Sequence, residues 1–102
     1  METYGGKFWD VLLLSEYNEH WQDFFKSMIR VLPCDKCRID SLRHFEKHEL
    51  PKIANQQEKD EFLWELRFTL GGYPFRQKVK IKGYTLEGWK EQFKDMKFTK
   101  IY

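Results

Sequence analysis

A stripe of six large apolar residues between positions 21 and 32 constrains the fold of this 102-residue chain more than any other feature. The six are Trp21, Phe24, Phe25, Met28, Ile29 and Leu32. Because their spacings of three and four match the period of an α-helix, the pattern predicts an amphipathic helix with one wide apolar face. Pro33 then ends the helix or offsets the next element. A chain of this length forms one domain, so the stripe must face a shared core.

The same spacing predicts a helix on each side of this stripe. A first helix covers about residues 7 to 15. Its inward side chains are predicted to be Phe8, Val11, Leu12 and Leu14. A third helix begins at Cys34 and runs to about His48, and its Leu42 and Phe45 are expected to face the core.

Two more helices are predicted in the second half of the chain. A fourth opens at Asn55, and Glu58 three residues later gives the spacing of a capping box. This helix runs to Gly71-Gly72 and is expected to be central, because it carries apolar residues on two faces. Those residues are Phe62, Leu63, Leu66 and Leu70 on one face, with Trp64 and Phe68 on the other. A fifth helix starts after Thr85 and carries Leu86, Trp89, Phe93 and Met96.

Together these patterns predict a single all-α domain over residues 1–102. It is a compact five-helix bundle, consisting of a four-helix bundle and a short C-terminal helix. Between the last two helices, Val79-Lys80-Ile81 alternates as a short strand does, although no partner strand is evident. The longest uncharged apolar run, Val11 to Leu14, is far shorter than a membrane span, so no membrane-spanning segment is expected. The N-terminus shows no basic segment followed by an apolar stretch, so no signal peptide is expected.

The charge of the chain gives no general attraction to nucleic acid, because 18 basic and 16 acidic residues leave a net charge of only +2. One local run, residues 76–82, is basic. An alternative interpretation makes it a nucleic-acid module with Arg76, Lys78, Lys80 and Lys82 on phosphates and Tyr73, Phe75 and Tyr84 interleaved. A short basic stretch between two elements is usually solvated, however, and we expect no nucleic-acid partner.

The only two cysteines, Cys34 and Cys37, form a C-x-x-C motif directly after Pro33. That spacing suits either a dithiol that closes into a reactive disulfide or half of a zinc site. At the first turn of a helix, the free backbone N–H groups and nearby Lys36 and Arg38 would lower the pKa of the leading thiol and favour a redox role. An unreactive or structural thiol pair remains an alternative.

A zinc site would recruit His44 and His48 in a C-x2-C-x6-H-x3-H pattern. Seven residues of continuous helix separate Cys37 from His44, a distance of roughly 10 Å along the axis. Because all zinc ligands must lie about 2.0–2.3 Å from one metal, the helix would have to break, and we expect no metal site. The two histidines are then polar residues on an exposed helix face.

The order of motifs along nearly the whole chain resembles the Erv/ALR family of FAD-linked sulfhydryl oxidases, its minimal viral members most. The matching features are an aromatic–Trp pair in the stretch from Gly5 to Leu13, then an amphipathic helix that ends in Leu32-Pro33-Cys34-Asp35-Lys36-Cys37. After these come a helix with a tryptophan, a lysine, and a last helix with an aromatic residue. These three are matched by Trp64, Lys78 and Trp89.

The resemblance implies a flavin next to a redox disulfide. Cys34 would exchange with substrate thiols, and Cys37 would face the flavin. The residues that would line or brace the flavin pocket are Trp9, Trp64, Lys78 and Trp89, although core packing is an equal explanation for the tryptophans. We expect FAD binding to be strongly weakened, because the family's histidine and asparagine positions on the adenine side are replaced. The replacements are Leu13, Thr69, Leu70 and Tyr73.

Two functions follow as expectations. The first is a thiol–disulfide oxidoreductase that uses a Cys34–Cys37 disulfide to form disulfides in protein substrates, with an external thiol partner. The second is a flavin-free, inactive relative that acts as a structural or interaction protein, for example in a virion or another large assembly. In that case Leu13, Leu70 and Tyr73 would fill the empty cofactor cleft. Family members usually form homodimers through their first helices. The missing signal peptide fits a cytoplasmic or virus-associated protein.

Overall fold

The computed structural model describes residues 4–31, 35–70 and 72–100, without the side chains of 4–6 and 37. These residues contain six α-helices. They are α1 Tyr4–Leu14, α2 Trp21–Arg30, α3 Asp35–Lys47, α4 Gln56–Leu70, α5 Tyr73–Lys82 and α6 Leu86–Glu91. The described part contains no β-strand, only an isolated bridge between Ser15 and Thr99. The predicted all-α class is therefore confirmed. None of the described helices is both long and apolar enough to cross a membrane.

The helix α4 is central, as predicted, because it packs against α1, α3, α5 and α6. Its start is a capping box. The side-chain oxygen of Asn55 accepts from the backbone N–H of Glu58 at 2.9 Å, and the Glu58 carboxylate accepts from the backbone N–H of Ala54 at 3.1 Å. Leu63 and Leu66 of this helix are buried in the core. The cap and the buried stripe together fix where α4 begins and which face it turns inward.

The apolar stripe of α2 is confirmed for the residues that the structure describes, while Leu32 and Pro33 lie outside them. Trp21, Phe25 and Ile29 are buried. The ring of Phe25 lies 5.3 Å from Trp21, in a stacked pair, and 5.5 Å from Phe62 of α4, edge to face. These aromatic pairs add about 0.5–1.5 kcal/mol each beyond the area that they bury.

The inward face of α1 was predicted wrongly by one position. Val11 is 49% exposed, whereas Leu13 is only 2% exposed. The buried residues of α1 are Trp9, Leu12 and Leu13, at i, i+3 and i+4. Because each residue turns the helix by about 100°, Val11 lies away from that stripe. On α3, Leu42 is also exposed at 36%, whereas Phe45 packs against the core as predicted.

The segment Val79–Ile81 is helical rather than a strand, so the described chain has one helix more than the five predicted. A lone strand would leave its backbone groups unpaired, whereas a helix satisfies them internally. Gly72 precedes α5 with φ of 95°, and Gly83 ends it in the left-handed region with φ of 68°. Both backbone conformations favour glycine, so these two residues set the bounds of α5.

Candidate functional site

The predicted dithiol lies at the start of α3, which begins at Asp35. The backbone of Cys37 belongs to the first turn of this helix. Cys34 and the side chain of Cys37 lie outside the described residues, so their pairing stays a prediction. The helix that follows the motif packs against α2 and α4.

The two cations beside the cysteines are engaged with carboxylates. The ammonium of Lys36 lies 2.8 Å from Asp40 Oδ2, and the guanidinium of Arg38 lies 2.6 Å from Asp35 Oδ1. Each cation therefore forms an ion pair on its own helix. The free backbone N–H groups at the helix N-terminus would also stabilise a thiolate at this end of α3.

His44 of α3 and His48, one residue after its end, lie in contact, with ring centroids 4.6 Å apart and ring planes tilted by 32°. Partial burial and the neighbouring His48 both lower the pKa of His44 below its usual value. Among the described residues, no group of three or more His, Cys, Asp and Glu side chains is placed to hold a metal ion. That search does not include either thiol, so the expectation of no metal site remains a prediction.

Three of the four residues predicted to contact a flavin lie close together, around the C-terminal half of α4. They are Trp64, Lys78 and Trp89. The Trp64 ring centroid lies 5.2 Å from Phe75, 5.8 Å from Tyr84 and 6.2 Å from Trp89. We call Trp64, Phe75, Tyr84 and Trp89 the aromatic cluster. Lys78 reaches this cluster, because its ammonium lies 5.3 Å from the centroid of the Tyr84 ring.

The aromatic cluster is filled by protein. The guanidinium carbon of Arg67 lies 4.2 Å from the Phe75 ring centroid and 4.8 Å from that of Trp89. Trp89 is 1% exposed, and its indole N–H donates to Asp10 at 2.9 Å. A flavin ring could stack on these faces only by displacing the guanidinium or separating the rings. The packed cluster therefore does not fit a resident flavin.

The remaining predicted flavin positions are packed or exposed. Trp9 is 7% exposed and belongs to the core, as does Leu13, whereas Leu70 packs against the core from its edge. Tyr73 is 66% exposed, and its hydroxyl accepts from Gln77. The exposed Thr69 donates to the carbonyl of Glu65 one turn earlier. Leu13 and Leu70 are thus packed, as the flavin-free interpretation expects, but Tyr73 fills no interior space.

The basic residues of α5 do not form a single patch. At 100° per residue, Arg76 and Lys80 lie on one side of the helix, with Lys78 and Lys82 on the other. Arg76 also donates to the carbonyls of Phe68 and Thr69, at the end of α4. Phe75, which would have to stack on a base, is 5% exposed. This geometry weighs against the nucleic-acid alternative.

The sequence interpretation missed a buried ion pair, Lys59 and Asp60, near the start of α4. Their side chains are 0% and 1% exposed, and the Lys59 ammonium lies 3.0 Å from Asp60 Oδ1. The spacing held a signal, because Lys59, Leu63 and Leu66 fall at i, i+4 and i+7 on one helix face. Charged residues are rarely buried, so this spacing alone does not predict a buried lysine.

Lys59 caps the C-terminal end of α1 from a different helix. Its ammonium donates to the carbonyls of Leu12, Leu13 and Ser15 at 3.2, 2.8 and 2.6 Å. The carbonyl of Leu14 accepts instead from the backbone N–H of Thr99 at 2.7 Å. The last carbonyls of a helix have no partner within it, and Lys59 supplies the donor for the carbonyl of Leu13. The carbonyls of Leu12 and Ser15 also accept from Ser15 and Gln56, so for them Lys59 is an additional donor. Burial lowers the pKa of Lys59, and neighbouring Asp60 opposes that shift.

Comparison of the chain with protein-family models, with curated proteins and with solved structures gave no match, so the resemblance to the Erv/ALR family stays a prediction.

Proposed function

We propose that this chain is a thiol–disulfide oxidoreductase in which Cys34 and Cys37 form the redox disulfide, and that it works without a resident flavin. The observation that carries the proposal is the start of α3 at Asp35, one residue after Cys34 in the sequence. A C-x-x-C motif at a helix start is an arrangement in which thiolates are stabilised by backbone N–H groups. The proposal concerns exchange chemistry on protein thiols.

The packing of the aromatic cluster supports the flavin-free part of the proposal. Trp64 and Trp89 contact each other and their neighbours, and Arg67 covers one side of Trp89. Leu13 is buried where the family resemblance places a histidine, so the side chain at that position offers no hydrogen bond to a cofactor. Electrons must then leave the cysteines by a second exchange reaction rather than through a bound cofactor.

The reaction balances with two disulfides and two dithiols. A substrate thiolate attacks the sulfur of Cys34 in the Cys34–Cys37 disulfide and forms a mixed disulfide, releasing the Cys37 thiolate. The second substrate thiolate attacks the mixed disulfide, which leaves an oxidised substrate and two reduced cysteines. An external disulfide of the glutathione or protein type then accepts the two electrons and is reduced to two thiols.

A groove beside α3 suits a protein substrate and also supports the second candidate, a flavin-free interaction protein. It has a volume of about 700 Å³ and is bounded by α2, α3 and residues 48–52. Ile29, Leu42 and Phe45 line it, and Leu42 is exposed. The two candidates differ in what the cysteines do: exchange requires both, whereas binding through this groove requires neither.

The test is an exchange assay on the full chain, with a peptide dithiol as substrate and oxidised glutathione as the electron acceptor. We expect the peptide to be oxidised catalytically, and added FAD to leave the rate unchanged. The Cys34→Ser and Cys37→Ser variants should both lose turnover. When oxidised glutathione is supplied without the peptide, only Cys37→Ser should accumulate a mixed disulfide with glutathione, because it keeps the attacked cysteine and lacks the thiol that would release glutathione.

A Leu42→Glu variant separates the two candidates. Under the first, it should raise KM for a protein dithiol while leaving exchange with free glutathione unchanged. If the double variant Cys34→Ser/Cys37→Ser oxidises the peptide as fast as the unmodified chain, the oxidoreductase proposal is wrong. Partner binding that this double variant retains and Leu42→Glu loses would then favour the interaction protein.

A further inference from the structure

Two histidines at the end of α3 lie one helical turn apart and take no part in the proposed exchange reaction. His48 follows the last residue of α3, but its backbone N–H still donates to the carbonyl of His44 at 3.0 Å. This bond continues the helical pattern by one residue, so the two side chains keep the i and i+4 spacing at which residues share a helix face. The backbone therefore holds the two imidazoles next to each other.

The distance between the two rings suits ligands of one metal ion. Their centroids lie 4.6 Å apart. A ring nitrogen binds a transition metal at about 2.0–2.1 Å, so the ion lies roughly 3.2 Å from the ring centroid, and two rings at angles of about 90–109° have centroids about 4.5–5.2 Å apart. A further turn of the exposed His48 ring about its side-chain bonds would direct a nitrogen of each ring at one shared position.

A dissolved ion can reach both rings from open cavities. His44 lines a pocket of about 220 Å³ between α3 and α4, and His48 lines the groove beside α3. Besides His44, the titratable residues that line this pocket are Glu49 and Glu65, so its charge favours a cation. Glu49 also borders the groove and therefore lies beside both cavities.

We propose that His44 and His48 form a two-histidine site for a divalent transition-metal ion, with Cu²⁺ preferred. Imidazole nitrogens suit Cu²⁺, Ni²⁺ and Zn²⁺, and a given site of this kind binds Cu²⁺ most tightly. Among the described residues, no group of three or more His, Cys, Asp and Glu side chains surrounds one position, so water completes the coordination. The site differs from the four-ligand zinc site considered from the sequence, because it uses neither cysteine. The proposal therefore does not depend on the thiol chemistry.

The probe is Cu²⁺ alone, titrated at about pH 7.5, where an ordinary imidazole is neutral. The full chain carries Cys34→Ser/Cys37→Ser in this test, because thiols would bind the ion themselves and reduce it. Calorimetry should give one tightly bound ion per chain, and electron paramagnetic resonance should show nitrogen ligands. In NMR spectra, the paramagnetic ion should first broaden signals of residues 44–49. Half an ion per chain, or broadening centred elsewhere, would overturn the proposal.

Three variants in the same background test the spacing of the histidines. His48→Gln should weaken Cu²⁺ binding at least about tenfold, because a chelate becomes a single contact. The exposed His20 lies outside α3, so His20→Gln should leave the affinity unchanged. Glu46→His/His48→Gln keeps the number of histidines but places them at i and i+2, where side chains do not face each other, and should bind as weakly as His48→Gln. If it binds as tightly as the chain with both histidines in place, or if His20→Gln causes an equal loss, the proposal is wrong.

Discussion

The two halves of α4 use their buried surface in opposite ways. The N-terminal half buries charge: Lys59 and Asp60 are almost fully enclosed, and one carboxylate oxygen is left without a donor. The C-terminal half buries rings: Trp64 packs among other aromatic residues, and the cation of Arg67 lies over two of them. The difference shows that one helix can be fixed in the core in two ways. The C-terminal half is held by contacts between rings, whereas the N-terminal half depends on an ion pair and on hydrogen bonds to the end of α1.

Removal of Lys59 should be the most damaging single change. Lys59→Met leaves the carbonyl of Leu13 without a donor, removes one donor from the carbonyls of Leu12 and Ser15, and leaves Asp60 without its nearest cation. Breaking a buried pair from one side costs roughly 3–5 kcal/mol, a large share of the roughly 5–15 kcal/mol expected for a domain of this size. Urea unfolding followed by circular dichroism measures the loss.

The exposed Lys52 provides the matched control, since Lys52→Met should change the free energy of unfolding by less than about 0.5 kcal/mol. The double variant Lys59→Met/Asp60→Leu should be more stable than Lys59→Met alone, because it no longer buries an uncompensated carboxylate. A loss below about 1 kcal/mol for Lys59→Met would show that the ion pair does not distinguish the two halves of α4.

In the aromatic half, Trp89→Phe should be the next largest change. The variant loses the indole N–H that donates to Asp10 and leaves a small cavity where the second ring was. We expect the free energy of unfolding to fall by about 2 kcal/mol. Asp10→Asn, which keeps a carbonyl acceptor, should cost less. If Asp10→Asn destabilises the chain more than Trp89→Phe does, this hydrogen bond is not what holds Trp89.

Arg67 tests whether the aromatic half depends on the guanidinium that lies between its rings. Arg67→Leu keeps apolar bulk over Phe75 and Trp89 but removes the guanidinium, which should cost about 1 kcal/mol. Lys78→Leu is the comparison, because the exposed Lys78 lies over Tyr84 alone and should contribute less. Retention of FAD by Arg67→Leu but not by the unmodified chain would mean that Arg67 blocks the flavin position.

The smallest expected effect comes from α3, outside both halves. Burial and His48 lower the pKa of His44, so the unfolded chain binds more protons than the folded one as pH falls through 6.5. Stability contributed by neutral His44 is therefore present above that pH and is lost as pH falls towards the lower, folded-state pKa. His48→Gln should flatten this dependence of the urea midpoint. An unchanged slope in the variant would contradict the coupling of the two rings.

The sequence correctly predicted the parts of the fold that depend on a clear local pattern, such as helical spacing or a helix cap. The stripe of α2 and the Asn55–Glu58 cap of α4 were predicted correctly, because spacing and capping chemistry act locally. The helix α5 was missed because alternation over Val79–Ile81 covers too few residues to distinguish a strand from a helix turn. That error arose where the local pattern was too short to distinguish the two structures.

The candidate sites were less predictable for the same reason. Lys59 lay on the buried face by its spacing, but burial of a lysine becomes favourable only with the α1 carbonyls, which are more than forty residues away in the sequence. The convergence of Trp64, Lys78 and Trp89 was anticipated from a family resemblance. The insertion of Arg67 among their rings had no sequence signal, because it depends on how α4, α5 and α6 pack.

The measurement that tests the central claim most directly is oxidation of a peptide dithiol by the full chain after incubation with FAD and removal of unbound flavin. We predict a colourless protein that consumes no oxygen and oxidises the peptide only when oxidised glutathione is supplied, with no turnover in Cys34→Ser/Cys37→Ser. A protein that retains a visible flavin band and oxidises the peptide with oxygen alone would contradict the account, since the aromatic cluster would then open for the cofactor.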